Sequence, residues 1–122
     1  MSISQEQKKI MFGGGTEAPF TGKFLHNEQA GTYTCASCGN ELFMSAHKFD
    51  SGSGWPSFYD VIKKGVVKLK DDNSLGMHRV EVVCAKCGGH LGHLFDDAKN
   101  QPTGQRYCVN SLSLDFKPKT NK

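Results

Sequence analysis

The 122-residue chain has no apolar run approaching the ~20 residues of a membrane span, and Met1 to Ile10 lacks the apolar segment of a secretory signal. A soluble, cytoplasmic protein is therefore expected. Apolar residues are scarce: they make up 37% of the chain, with one Trp, against 14 Gly. A chain of this length buries roughly two thirds of its unfolded surface, enough for one small domain. So thin an apolar supply, cut by many turns, predicts a core that needs reinforcement. Excess charge is missing too, since 15 basic and 12 acidic residues leave a net +3, clustered only from Lys117 to Lys122. So small a cluster is weak evidence for nucleic acid, and neither nucleic acid nor membrane is an expected partner. A monomer is the working expectation for oligomeric state.

What the chain does have is cysteine. Four of its five cysteines fall in two Cys-x-x-Cys units, Cys35-Ala36-Ser37-Cys38-Gly39 and Cys84-Ala85-Lys86-Cys87-Gly88. Each unit continues to a leucine, Leu42 or Leu91, so the pattern Cys-Ala-x-Cys-Gly-x-x-Leu occurs twice. Paired knuckles separated by a long insert match tetrahedral sulfur ligation, and the glycine after each second cysteine tolerates the tight turn. One structural Zn2+ per chain, held by Cys35, Cys38, Cys84 and Cys87, is the expectation. A closed four-sulfur shell leaves no open position for substrate, although iron in a rubredoxin-like site would fit the same thiols. Such cysteine usage belongs to a reducing compartment rather than to a disulfide framework.

Punctuation and periodicity divide the chain into an N-terminal arm (1–15), a zinc-stapled β catalytic domain (16–116) and a basic tail (117–122). Ser4 to Phe12 reads as a short helix with Ser4 as N-cap and Gln7 three residues on, stopped by Gly13-Gly14-Gly15. Thr16 to Gly31 reads as an extended arm anchored by Phe20 and Phe24. Thr32 to Thr34 and Glu41 to Phe43 form a hairpin with the first cysteine pair at its tip. Ser45 to Ser53 is a polar loop running into a packed Gly54-Trp55-Pro56-Ser57-Phe58-Tyr59 loop. Val66 to Lys70 and His78 to Val83 are strands joined by a turn at Asp71-Asp72-Asn73. Asp96 to Gly104 is a loop, and Arg106 to Phe116 is a final strand placing Arg106, Cys108, Asn110, Leu112, Leu114 and Phe116 on one face.

That last face carries the fifth cysteine. A lone cysteine is by default a buried small hydrophobe, but Cys108 has a guanidinium two residues before it and an amide two residues after. Arg106 would favour the thiolate over the ordinary pKa of about 8.5. His90 and His93, beside the second knuckle, are not needed by a shell that four cysteines fill. A thiol, two histidines and hydrogen-bonding neighbours together suggest nucleophilic sulfur chemistry with a nearby proton donor. Trp55, in its Gly-Trp-Pro loop, is a candidate wall for an apolar ligand group.

Gly54-Trp55-Pro56-Ser57-Phe58, His90-Leu91-Gly92-His93 and Arg106-Tyr107-Cys108-Val109-Asn110-Ser111, set among the two knuckles, resemble the B-type methionine-R-sulfoxide reductases over roughly Thr16 to Phe116. The resemblance implies a mainly β fold of two small antiparallel sheets with zinc at one end. It implies reduction of methionine-R-sulfoxide, free or protein-bound, a reaction that reverses methionine oxidation. Cys108 would attack the sulfoxide sulfur and become a sulfenic acid. His93, with His90 and Asn110, would position and protonate the oxygen, Arg106 would support the thiolate, and Trp55 and Phe95 would contact the substrate.

Many members of that family carry a resolving cysteine where this chain has Ser53. With four cysteines assigned to metal, no internal thiol is left, so an external reductant is expected: thioredoxin first, or a glutathione/glutaredoxin route. The competing reading is a zinc-ribbon interaction or nucleic-acid-binding module, which would show salt-dependent association and tolerate Cys108→Ser.

Overall fold

Two antiparallel sheets dominate the computed structural model, which describes residues 3–73 and 76–119. The smaller sheet comprises β1 (Gly31–Cys35), β2 (Glu41–Met44) and β9 (Leu114–Pro118) in the order β2-β1-β9. The larger comprises β3 (Lys48–Phe49), β4 (Ser57–Phe58), β5 (Val67–Asp72), β6 (Arg79–Cys84), β7 (His90–Phe95) and β8 (Arg106–Val109), ordered β3-β4-β8-β7-β6-β5. The class is the mainly β one expected from the sequence.

Aromatic rings join the sheets. Phe58 of β4 stacks on Phe43 of β2 at 4.4 Å between centroids and meets Tyr33 of β1 edge-on at 5.1 Å. Around them pack Leu42, Val82, Leu91, Val109 and Leu114, all buried. Offset and edge-to-face aromatic pairs stabilise by about 0.5–1.5 kcal/mol each beyond the area they bury, which matters in a chain short of aliphatic residues.

The N-terminal helix α1 (Gln5–Phe12) has the expected start: Ser4 Oγ accepts from the Gln7 N–H at 3.1 Å, and Gln7 Oε1 accepts from the Ser4 N–H at 2.8 Å. This reciprocal cap satisfies two N-terminal donors that the helix cannot. Met11 enters the core at 2% exposure, and Gln7 Nε2 donates to the Leu112 carbonyl at 3.2 Å, tying the helix to the end of the fold.

Several expectations fail in instructive ways. Arg106 to Phe116 is not one strand: β8 ends at Val109, a 3-10 turn spans Ser111–Ser113, and β9 continues in the other sheet. Within the turn the predicted alternation fails, so Ser111 and Ser113 are buried while Leu112 is only partly so; beyond it Leu114 packs in the core and Phe116 against it, as expected. Both serines are satisfied there, Ser111 Oγ by the Phe24 N–H and Ser113 Oγ by donation to the His90 carbonyl. The predicted turn at Asp71-Asp72 is strand, because the β5–β6 ladder runs to the pair Asp72 and Arg79. The loop from Ser45 to Ser53 contains a 3-10 turn and β3. Phe24 anchors the arm against Tyr33 and Phe116, but Phe20 does not: it is 67% exposed, held by its backbone N–H to the Gly54 carbonyl at 2.7 Å. Of the expected basic tail, Lys117 lies in β9 and residues 120–122 fall outside the described residues. No described helix is long and apolar enough to cross a membrane.

Candidate active site and metal cluster

The two knuckles fold alike and meet. In each, the first cysteine closes a strand, β1 or β6, and its carbonyl accepts from the glycine N–H four residues on: Gly39 to Cys35 at 2.9 Å and Gly88 to Cys84 at 2.8 Å. Both glycines adopt positive φ, 79° and 78°, a region that costs other residues strain. Cys35 Sγ lies 3.6 Å from Cys87 Sγ and Cys38 Sγ 3.6 Å from Cys84 Sγ, and all four sulfurs fall within 4.8 Å of one another. A tetrahedral site with metal–sulfur bonds of about 2.3 Å requires sulfur–sulfur edges of roughly 3.8 Å. The four cysteines could therefore hold one metal ion, and in doing so would link the smaller sheet to the larger.

A cavity of about 210 Å³ opens on the face of the larger sheet. Its lining brings together all seven non-metal residues singled out in the sequence: Cys108, His90, His93, Asn110, Arg106, Trp55 and Phe95. Strand register explains most of this. Cys108 on β8 is directly opposite His93 on β7, and Arg106 opposite Phe95, so each pair projects to one face. His90 is three residues from His93 and would point the other way in a regular strand. A bulge prevents that: Val82 pairs with Gly92 but Val83 with His90, leaving Leu91 as the extra residue. The two imidazoles consequently sit 5.4 Å apart, centroid to centroid, at the same cavity. Gly92 between them is required, because a Cβ there would lie 1.8 Å from the Cys108 carbonyl oxygen.

Each histidine has its own carboxylate. His93 Nε2 is 2.8 Å from Asp72 Oδ2, and His90 Nδ1 is 2.8 Å from Glu81 Oε2. A carboxylate only accepts, so these ring nitrogens carry hydrogen, leaving His93 Nδ1 and His90 Nε2 for other partners. Burial pushes His90 below the usual imidazole range, opposed by Glu81. Arg106 is not a free cation beside the thiol: it makes a two-pronged pair with Asp97, 3.0 Å on each arm, and covers the Phe95 ring at 4.3 Å. Burial pushes the Cys108 thiol up, while the Ser53 hydroxyl, 3.8 Å from Sγ, and Arg106 pull it down. Desolvation is the largest of these influences on Cys108, and it acts against the pull of the Arg106 guanidinium.

Sequence reasoning missed Thr16 and Arg79 of the cavity wall, and the residues that hydrogen-bond its lining: Asp72, Glu81, Asp97 and Glu17. Period-two alternation would have found Glu81, which is opposite His93 across β6 and β7. Nothing local announces Asp72, Asp97 or Glu17.

The SelR domain model matches residues 3–118. "Peptide methionine sulfoxide reductase MsrB" of Methanosarcina barkeri is 56% identical over 115 residues, covering 94% of this chain and 80% of that protein. "Methionine-R-sulfoxide reductase B3, mitochondrial" of Mus musculus is 56% identical over 104 residues, 85% of this chain and 41% of that protein. In fold alone, the chain is similar to the Mis18 "Yippee-like" domain, with a TM-score of 0.60 and 14% identity, covering 76% of this chain and 100% of that one. With a family match running almost end to end, and with the cavity lining already assembled, this chain belongs to the SelR-domain family, the B-type methionine-R-sulfoxide reductases.

Proposed function

We propose that Cys108 reduces methionine-R-sulfoxide, free or in oxidised proteins, to methionine. The observation that supports this most is the meeting of one thiol, two carboxylate-backed histidines, a buried amide and an indole in a single cavity. The Cys108 sulfur attacks the sulfoxide sulfur, the oxygen passes to Cys108, and methionine leaves. The balance is a thiol plus a sulfoxide giving a sulfenic acid plus a thioether, with the thiol proton retained overall. The sulfoxide oxygen leaves its sulfur only if it is protonated, and the Cys108 thiol is the better nucleophile once it has lost its proton. His93 and His90 carry that proton between the two, Asn110 donates to the oxygen, Arg106 stabilises the transient thiolate, and Trp55 and Phe95 receive the apolar part of the substrate.

Zinc is the ion we assign to Cys35, Cys38, Cys84 and Cys87, on the sulfur-only donor set and the fit of its edges. Its role is a cross-link between sheets, outside the reaction. Ser53 occupies the position from which a cysteine would resolve the sulfenic acid, so an external thiol, thioredoxin or a glutathione/glutaredoxin couple, completes the cycle. The zinc-ribbon reading accounts for the four-sulfur cluster but for none of the cavity.

The test is a single turnover without added reductant, using separated R and S epimers. Methionine from the R epimer alone, with the protein heavier by one oxygen at Cys108, is expected. Cys108→Ser should lower turnover by more than about a thousandfold with an unchanged melt. Retained turnover in that variant would overturn the assignment of the nucleophile.

A further inference from the structure

Glu17 lies on the arm, outside both sheets, yet it is only 6% exposed and joins three parts of the site that are far apart in sequence. Its main-chain N–H donates to Asn110 Oδ1 at 3.2 Å. Its carbonyl accepts from Trp55 Nε1 at 3.1 Å. Its carboxylate Oε1 accepts from the Leu112 N–H at 3.0 Å, in the turn that follows the strand of Cys108. Neither main-chain bond depends on the side chain being glutamate, but the position of that main chain does: Oε1 is what pins residue 17 to the turn.

These bonds set the polarity of the cavity. An amide can present either its oxygen or its nitrogen, and its hydrogen-bond partners decide which. With Oδ1 accepting from Glu17 and one Nδ2 hydrogen given to the Leu91 carbonyl at 3.2 Å, the amide's orientation is fixed and its second Nδ2 hydrogen remains to be offered. A sulfoxide oxygen is an acceptor, so this orientation suits it and the flipped one repels it. Trp55, its N–H spent on Glu17, presents only carbon to the cavity it lines. A donor and an apolar surface, with the nucleophile in the same cavity, are the elements needed to distinguish the oxygen from the methyl on a chiral sulfur.

We propose that Glu17 is a positioning residue that sets substrate affinity and epimer selectivity by locking the Asn110 amide and the Trp55 indole. The proposal rests on the sulfoxide reductase reading for its substrate, but not for its geometry. Burial raises the Glu17 carboxyl above the usual range, against the two backbone donors of Ser111 and Leu112, which is consistent with a carboxyl kept inside for the bonds it accepts. The approach of the arm is equally close at Gly22, where a Cβ would lie 2.5 Å from Glu17 Oε2 and 2.2 Å from Ser111 Oγ.

The chain has one tryptophan, so its indole signal reports the lock directly. In the unmodified protein the single indole N–H resonance should exchange slowly with solvent; fast exchange would overturn the proposal. In Glu17→Ala that protection and the native emission maximum should be lost, with kcat/KM for the R epimer falling about 10- to 100-fold, the scale of a misplacement near 1 Å. The fall should appear mainly in KM, with a narrowed R over S preference. Glu17→Gln keeps an acceptor for Leu112 and should recover most of both signals, whereas a purely structural role would move the melting temperature and leave the R to S ratio alone. Wild-type emission and wild-type selectivity in Glu17→Ala would overturn the proposal. Should Glu17→Ala not fold, the exchange measurement on the unmodified chain and the selectivity of Glu17→Gln decide it. A wild-type chain that reduces neither epimer would sink the activity reading, while the indole exchange still decides the lock.

Discussion

Cys108 and His93 are register partners across β8 and β7, with Ser57 opposite Cys108 on its other flank and Glu81 opposite His93. Cys108 and His93 are thus held by ladder hydrogen bonds rather than by loops, and their separation is a property of the sheet. The approach of the two strands is close enough to depend on a missing side chain at Gly92.

Gly92→Ala is expected to be among the most damaging single-methyl changes in the chain. Its Cβ would lie 1.8 Å from the Cys108 carbonyl oxygen and 2.9 Å from the Val109 Cα, and both are backbone atoms that cannot rotate away. Overpacking of this kind costs about 1–3 kcal/mol or more, and here it also separates Cys108 from His93. A urea melt together with turnover checks it; a wild-type melt with full activity would contradict the register.

Ser53→Cys should create an internal resolving thiol. Ser53 Oγ is 3.8 Å from Cys108 Sγ, so a sulfur at that position would start within about 2 Å of the disulfide bond length of about 2.05 Å. After one turnover the variant should lose two hydrogens in mass, where the wild type gains one oxygen. A variant that still accumulates sulfenic acid would show that the loop holds residue 53 away from the nucleophile.

Metal removal should unfold the chain, as should Cys84→Ser. The cluster joins a hairpin of each sheet, and structural zinc in small peptides carries apparent binding free energies of roughly 10–16 kcal/mol. Thermal melts with and without a chelator, alongside a metal-to-protein ratio near one, test this; a fully stripped protein with an unchanged melt would refute a structural role.

Acid should destabilise the fold through His90. Burial, assisted by the charge of His93, holds its folded pKa below the ordinary 6.5, against the raising influences of Glu81 and then Asp72. Below pH 6.5 the unfolded chain takes up the proton before the native one does. The stability this residue contributes is therefore present above 6.5 and lost as pH falls through its folded pKa. Removing the main opposing influence with Glu81→Gln should lower the His90 midpoint further in an imidazole NMR titration; an unchanged midpoint would mean that Glu81 does not set it.

Much of this was legible along the chain because it is encoded locally. The capping box at Ser4 and Gln7, the hairpin carrying Cys35 and Cys38, and the repeated knuckle with glycine at its fourth position after the first cysteine all arise from interactions within a few residues. The same is true of Arg106 and Cys108, whose common face follows from strand alternation.

Residue chemistry and short-range spacing determined the run of short strands, the four-sulfur cluster and most of the cavity residues, to which the family resemblance added Phe95. Tertiary structure decided how that cast is arranged. A single extra residue at Leu91 turns His90 to the side of His93, a change of face that no periodic pattern could announce. The 3-10 turn at Ser111–Ser113 carries the chain from one sheet to the other and buries the two serines, leaving Leu112 only partly covered. Asp97 holds Arg106 in a two-pronged pair beside Cys108, and burial, which only packing supplies, pushes the Cys108 thiol up against the pull of Ser53 and Arg106. Glu17 reaches Asn110 and Leu112 across more than ninety residues of sequence, and only the folded arm brings them together.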